Sequence, residues 1–396
     1  MRLCQPVLVL FCLSIVAIVA MPATAQDAAP NTLTAEEAAD GWVLLFDGES
    51  LFGWKAANDA DWQVEDGAIT ATEGTPGLIH TRGQYGNYKL KVDFKSVEGG
   101  NSGIFLRTSP KPADVQGRCY EINIADLGTN DWPTGSIVQR KKAETQHDSA
   151  EWQTLEVTAD GPDFSVTIDG EKVLDYTDEK PLGRGFIGLQ FRTGKIQFRN
   201  IKLKPISGKK LFDGKSLADW TIAPLGVSKA TVIPETGELH LVNGRDYIEA
   251  PGQYDDFMFQ IDVFVDGDAL NSGVFFRCIP EQAMNGYECQ IQNGMVDGDP
   301  TKPQDCGTGG FFRRQNARKI VAKDREYFKL TLLADDKHMA GWVNGYPVSD
   351  WTDTRAAHEN PRGGLRLEPG TIQIQGHDPT TDLRFKNIEI FETPER

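Results

Sequence analysis

Cysteine is scarce in this chain: six among 396 residues, with Cys4 and Cys12 confined to the first 25. The other four, Cys119, Cys278, Cys289 and Cys306, fall in no zinc-ligand spacing, which excludes a cysteine-based zinc module. In an oxidising compartment Cys289–Cys306 and Cys278–Cys289 are candidate disulfides, and small buried thiols in strands are the alternative. Long apolar runs are also missing, since none beyond residue 25 is long enough to cross a bilayer. Basic residues are outnumbered, 41 Lys and Arg against 57 Asp and Glu for a formal charge of −16, which argues against nucleic acid or anionic membrane as a partner. No serine-hydrolase elbow, P-loop, dinucleotide fingerprint or HExxH pair occurs, so nucleophilic, phosphoryl-transfer and nicotinamide chemistry lack support. Amphipathic helical patterns are nearly absent, apart from one expected turn at 35–40.

What is present begins with an export signal. Met1 and Arg2 precede an apolar run at 6–20, and Ala23-Thr24-Ala25 supplies small residues for cleavage after Ala25. The reading is a signal peptide at 1–25 and a secreted or periplasmic protein with no membrane span after cleavage. About 370 residues remain, a comfortable length for two domains with their own cores.

Those domains are legible as a repeat. "LLFDGESLFGW" at Leu44 returns as "KLFDGKSLADW" at Lys210, "GQYGNYKLKVDF" at Gly83 as "GQYDDFMFQIDV" at Gly252, and "NSGIFLR" at Asn101 as "NSGVFFR" at Asn271. "CYEINI" at Cys119 matches "YECQIQ" at Tyr287, "TIDGEKVLDYTD" matches "WVNGYPVSDWTD", and "IQFRNIKL" matches "LRFKNIEI". The spacing predicts an N-terminal segment at 26–40, one domain at 41–206 and a second at 209–393, joined by a Pro/Ser/Gly linker too short for free swinging. Short runs alternate apolar and polar residues between Gly, Asn, Asp and Pro, and "DGEK" and "VNGY" read as hairpin turns. Many short antiparallel strands predict an all-β protein of two tandem jelly-roll sandwiches.

At these blocks the chain resembles the 3-keto-disaccharide hydrolase domain family. The markers are "LFDG…L..W", "NSGIFLR" and "NSGVFFR", "YE.QI", "W.NG..V.D" and the closing "F.NI.I", and the resemblance spans nearly the whole chain twice. It implies a concanavalin A-like sandwich and action on 3-keto-glycosides. The C3 ketone acidifies C2–H, so that a base removes that proton, the C1 substituent leaves, and water adds to the resulting enone. Such chemistry needs a general base near C2 and a positive group at the enolate oxygen, often a divalent metal. The rival expectation is a non-catalytic, lectin-like pair of modules that binds polysaccharide or a cell-surface partner.

Strand alternation selects candidates. In "GYECQIQ", Tyr287, Cys289 and Ile291 share one face, leaving Glu288, Gln290 and Gln292 on the other. In "TIQIQGHD", Gln373, Gln375 and His377 point away from the core. Glu288 and His377 are therefore the candidate catalytic residues. Arg277, Gln290, Gln292, Gln375, Arg314 and Asn271 are candidate sugar contacts, with Glu121 as the first-copy equivalent of Glu288. If a metal is bound, His377, Asp378 and Glu288 are its expected ligands. The first copy has Phe191 and Arg192 where the second has Gly376 and His377, so the active site is expected in the second domain. Asp297, Asp299 and Asp305 fit no calcium loop and read as a rim loop. Trp132 is the best candidate for stacking on a sugar.

Overall fold

The computed structural model describes residues 29–125, 130–144 and 150–395, and the expected signal peptide at 1–25 lies outside them. Each half of the chain forms an eight-stranded and a five-stranded antiparallel sheet, the expected pair of sandwiches. In Tyr88–Ser96 the period of two places Tyr88, Leu90, Val92 and Phe94 in the core while Lys89 and Lys91 face away. The first five-stranded sheet runs Trp54–Ala56, Gly77–Thr81, Phe186–Phe191, Asn101–Thr108, Tyr120–Ala125. Its counterpart in the second half runs Thr221–Ile222, Asp246–Glu249, Thr371–Gly376, Ser272–Cys278, Tyr287–Ile291.

The shared motifs are mostly structural devices. In "LFDG…L..W", Asp47 accepts from the backbone N–H groups of Glu49 and Ser50, closing a tight turn. The Trp54 indole then donates to the Leu45 carbonyl at 2.6 Å. Asp213 and Trp220 repeat both contacts, the latter on Leu211 at 3.0 Å. The hairpin pairs Asp169-Gly170 and Asn344-Gly345 take positive φ at both central positions, as that turn requires. Ahead of the first strand, Thr34 and Glu37 form a capping box on the short helix Ala35–Ala39.

The two sandwiches are fixed to each other. Met258, Leu333, Ala340 and Trp342, on the outer face of the second eight-stranded sheet, join the first domain's hydrophobic cluster. Trp342 also donates to the Leu44 carbonyl at 2.8 Å, and removing a buried Trp typically costs about 3–5 kcal/mol. Ion pairs frame this seam: Arg82–Asp350 at 3.0 Å, Arg318–Asp47 at 2.7 Å, and Arg184 with Asp256.

Asp335 sits in the seam, 2% exposed, and accepts from the Gln84 backbone N–H at 2.9 Å and its amide at 3.1 Å. Burial outweighs these bonds and raises its carboxyl to about 6. The folded chain therefore holds this proton more tightly than the unfolded chain. The resulting stabilisation is complete below the ordinary value of 3.8 and is lost as pH rises through 6. Asp335→Asn is expected to flatten that part of a melting-temperature profile between pH 4 and 7; an unchanged slope would contradict this assignment.

All four described cysteines are free and buried, so neither candidate disulfide forms and the alternative of buried thiols is the one observed. Among the described residues no helix is long and apolar enough to cross a membrane.

Candidate functional site: the outer face of the five-stranded sheet

Register aligns the outward side chains into rows. In the second domain Thr221 pairs with Glu249, Glu249 with Gln373, Gln373 with Phe275, and Phe275 with Glu288. In a neighbouring row Tyr247 pairs with Gln375, and Gly273 pairs with Gln290. The Glu288 side chain leans across Gly273, where an added Cβ would come within 3.1 Å of its Cγ and Oε1. Glycine at this position of the "NSG" motif thus leaves room for a carboxylate. The amide oxygens of Gln290 and Gln375 are buried on the same face without a hydrogen-bond partner, and a hydroxyl-rich ligand would satisfy them.

Glu288 is 7% exposed, and burial raises its carboxyl to about 7. Arg362, 3.1 Å away, opposes the rise, as does the more distant His377, while Asp305 adds to it. Arg362 also lies over Phe275, 4.9 Å from the ring centroid, and donates to the Met284 carbonyl at 3.2 Å. Met284 bonds the Gln373 side chain through its backbone N–H and accepts from the Gln375 amide at its sulfur, 3.0 Å away. Glu288 is therefore capped by Arg362, which Met284 helps to hold in place. Arg362→Gln is expected to raise the Glu288 carboxyl further, read as an upward move of its titration midpoint by carboxyl NMR. A lowered midpoint would contradict the pairing.

The remaining candidates divide. Gln290 and Gln375 share the face with Glu288, and Asn271 accepts from the Gln290 amide at 2.7 Å. His377, at the end of the strand, contacts Asp378 through Nδ1 at 2.8 Å. Donation from Thr380 and His377 holds Asp378 down at about 2. Arg314 donates to the Arg362 carbonyl at 3.0 Å and so supports the cap. Gln292 bonds Ala269 and Gln304 and anchors the rim loop.

Arg277 requires a correction, because it does not reach this face. A bulge separates Phe275 from Cys278, and Arg277 adopts φ 48°, which turns the side chain inward. Its fully buried guanidinium donates to the carbonyls of Asp255, Asp336 and Arg366 and to the Asp256 carboxylate. Arg107 makes the same kind of tie in the first domain, to Gly86, Gly161, Leu182 and Asn87.

The metal expectation does not fit these residues. Among the described residues no three of His, Cys, Asp or Glu gather as a metal group. Glu288 faces a guanidinium, and His377 and Asp378 pair with each other at the end of the strand without a direct contact to Glu288. Trp132 is half-buried; its carbonyl accepts from the Asn123 side chain and Lys142 lies 5.4 Å from its ring centroid.

The first domain repeats the glutamate. Glu121 leans over Gly103, is 7% exposed, and is raised by burial to about 7. Arg192 and Gln190 oppose that rise. The cation is the difference between copies. Tyr85 bridges Gly185 and Tyr254 bridges Gly370, so these glycines are equivalent. Gly185 follows Asp178 by 185 − 178 = 7 residues, whereas Gly370 follows Asp353 by 370 − 353 = 17. The longer loop carries Arg362, which sequence reading passed over; the length difference between the copies was its one signal.

The duplicated jelly-roll sandwich, with a buried glutamate on each polar sheet face, belongs by its family match among carbohydrate-active, glycosyl hydrolase-like proteins. More particularly, the chain belongs to the 3-keto-alpha-glucoside-1,2-lyase-like domain family, whose model matches residues 41–204 and again 208–391. A 3-keto-disaccharide hydrolase of Bacteroides thetaiotaomicron is 33% identical over 79 residues, covering 17% of this chain and 27% of that protein's own length. A candidate glycosyl hydrolase of Parabacteroides distasonis is 26% identical with a TM-score of 0.40, covering 44% of this chain and 99% of its own. The carbohydrate-binding module CBM66 of Bacillus subtilis has a TM-score of 0.33 at 17% identity, covering 38% of this chain and 95% of its own.

Proposed function

We propose that this chain is an exported enzyme that cleaves 3-keto-glycosides, with the reaction centred on Glu288. The observation that carries the reading is a buried carboxyl at about 7, beside Arg362 and over the space left by Gly273. A base with this value is half-ionised at neutral pH and strong enough to take an activated C–H proton. Ionised Glu288 removes the C2 proton, the electron pair moves toward the C3 carbonyl, and Arg362 stabilises the enolate oxygen. Collapse of the enolate forms the C1=C2 bond and expels the C1 oxygen, which takes a proton from a water molecule and leaves a hydroxide behind. Once the leaving group has gone, the Glu288 carboxyl exchanges its proton with solvent; water then adds at C1, its second proton passing to the hydroxide left behind, and Glu288 returns a solvent-derived proton to C2, giving the free 3-keto sugar. Substrate hydroxyls would occupy the unpartnered amide oxygens of Gln290 and Gln375.

One observation favours the rival binding role: Glu288 is 7% exposed and already paired with Arg362, so little of the carboxylate is open to a sugar. Incubation of the mature chain with a 3-keto-glucoside, with and without a divalent metal, separates the two. Release of free 3-keto-glucose supports the enzyme reading; binding without turnover under either condition supports the lectin-like one.

A further inference from the structure

A cleft of about 1160 Å³ opens where the two sandwiches meet. It lies at the opposite edge of the first five-stranded sheet from Glu121, beside Lys55 and His80, which pair in register. The second domain closes it with residues 335–338 and Thr352. We propose that this cleft is a separate carbohydrate site that takes an acidic oligosaccharide, one whose rings carry carboxylate or sulfate groups. The proposal is independent of chemistry at Glu288.

Size sets the first condition. Sites for small ligands commonly enclose about 300–1,000 Å³, so this cleft holds more than one sugar ring. Junctions between domains are frequent places for such sites, and here the walls are rigid. Arg82 bridges them through Asp350 at 3.0 Å and Thr352 at 3.3 Å.

Charge sets the second. The acidic residues of the lining are already engaged. Asp335 and Asp336 both face Arg184, at 3.7 and 3.4 Å, whereas Asp59 accepts from Thr75 and keeps its charge, one carboxylate against the lysines of the lining. Lys55, Lys111 and Lys337 also line the cleft and are exposed. None of the three ammonium groups has a hydrogen-bond or ion-pair partner among the described residues. On a chain of net charge −16, three unpaired ammonium groups around one concavity form a local field that selects anions.

The floor supplies the sugar contacts. His80 packs against Phe186 with ring centroids 4.9 Å apart, an apolar surface suited to the C–H face of a pyranose. His80 Nδ1 lies 2.7 Å from the Thr81 carbonyl, which can only accept, so Nδ1 carries the proton. Burial keeps the ring below its usual value and neutral at pH 7, leaving Nε2 to accept from a sugar hydroxyl.

Calorimetric titration of the full mature chain tests this, with oligogalacturonate, a sulfated oligosaccharide, a neutral oligosaccharide of equal length and inorganic sulfate as probes. At least one acidic oligosaccharide is expected to bind about tenfold or more tightly than the neutral one, with affinity falling as salt rises. The exposed triple variant Lys55→Ala/Lys111→Ala/Lys337→Ala is expected to lose that preference with its melting temperature unchanged. Equal affinity for neutral and acidic sugars, retention of the preference by the triple variant, or inorganic sulfate binding as tightly as the oligosaccharides would each overturn the proposal.

Discussion

Glu288→Gln is expected to lower kcat on a 3-keto-glucoside by about 10²–10⁴-fold, the usual contribution of a positioned general base. The amide keeps the shape and the hydrogen bonding to Arg362 but cannot take the C2 proton. In the parent protein, activity is expected to rise with pH through about 7, as Glu288 ionises. The same substitution has an opposite effect on stability. Folded Glu288 holds its proton up to about 7, whereas an unfolded glutamate releases it near 4.5. Its stabilising contribution is therefore complete below 4.5 and is lost as pH rises through 7, a difference on the order of 3 kcal/mol. Glu288→Gln carries no such loss, so its melting temperature should exceed the parent's at pH 8 and approach it at pH 4. A dead variant that is also destabilised at pH 8 would point to collapse of the face, not loss of a base. Glu121→Gln is expected to show the same stability pattern; its effect on turnover reports whether the first copy, with Arg192 in place of His377, also reacts.

Arg277→Met should be the most damaging substitution for the fold. The guanidinium is fully buried and joins its own strand to three other segments of the second domain, at Asp255–Asp256, Asp336 and Arg366. Removing it takes one of two cations from the Asp256 carboxylate, 11% exposed, and leaves Arg184 of the first domain and the Asp336 backbone N–H as its partners. Breaking a buried pair from one side typically costs about 3–5 kcal/mol. A large drop in denaturation midpoint is expected at every pH near neutrality, with the second domain failing first. If Arg277 instead contacted substrate, Arg277→Met would raise KM and leave the midpoint in place.

Arg277 also shows where the sequence stops being readable. A period of two places Glu288, Gln290 and Gln375 on one face, and they lie there, because those strands are regular through these residues. The same period puts Arg277 beside them, and a bulge at its positive φ defeats it. Such a bulge leaves no mark in composition, since arginine is not a residue that signals a left-handed backbone. The repeat and the sandwich were visible because corners such as Asp47…Trp54 and Asp213…Trp220 use the same hydrogen bonds twice and so constrain the same letters twice. Arg362 was not visible, because it rides on a loop present in one copy only and meets Glu288 from a distant part of the chain. The cleft between the domains was hidden for a related reason: Lys55, Lys111 and Lys337 become neighbours only through docking of the two halves.

The asymmetry between the copies is sharper than motif comparison implied. Both copies keep the glutamate, the glycine beneath it and the raised carboxyl. What differs is the positive group, Arg192 from just past the end of a strand in one and Arg362 from an added loop in the other. The chemistry proposed depends on the group placed above the base as much as on the base.

The most direct test of proton removal at C2 is turnover of a 3-keto-glucoside in D₂O, with the product analysed by mass spectrometry and NMR at low conversion. Deuterium at C2 of the early 3-keto-glucose, and no product with Glu288→Gln, is the expected result. Product that retains protium at C2, together with an equal rate for a C2-deuterated substrate, would mean direct displacement at C1 and would contradict the elimination route.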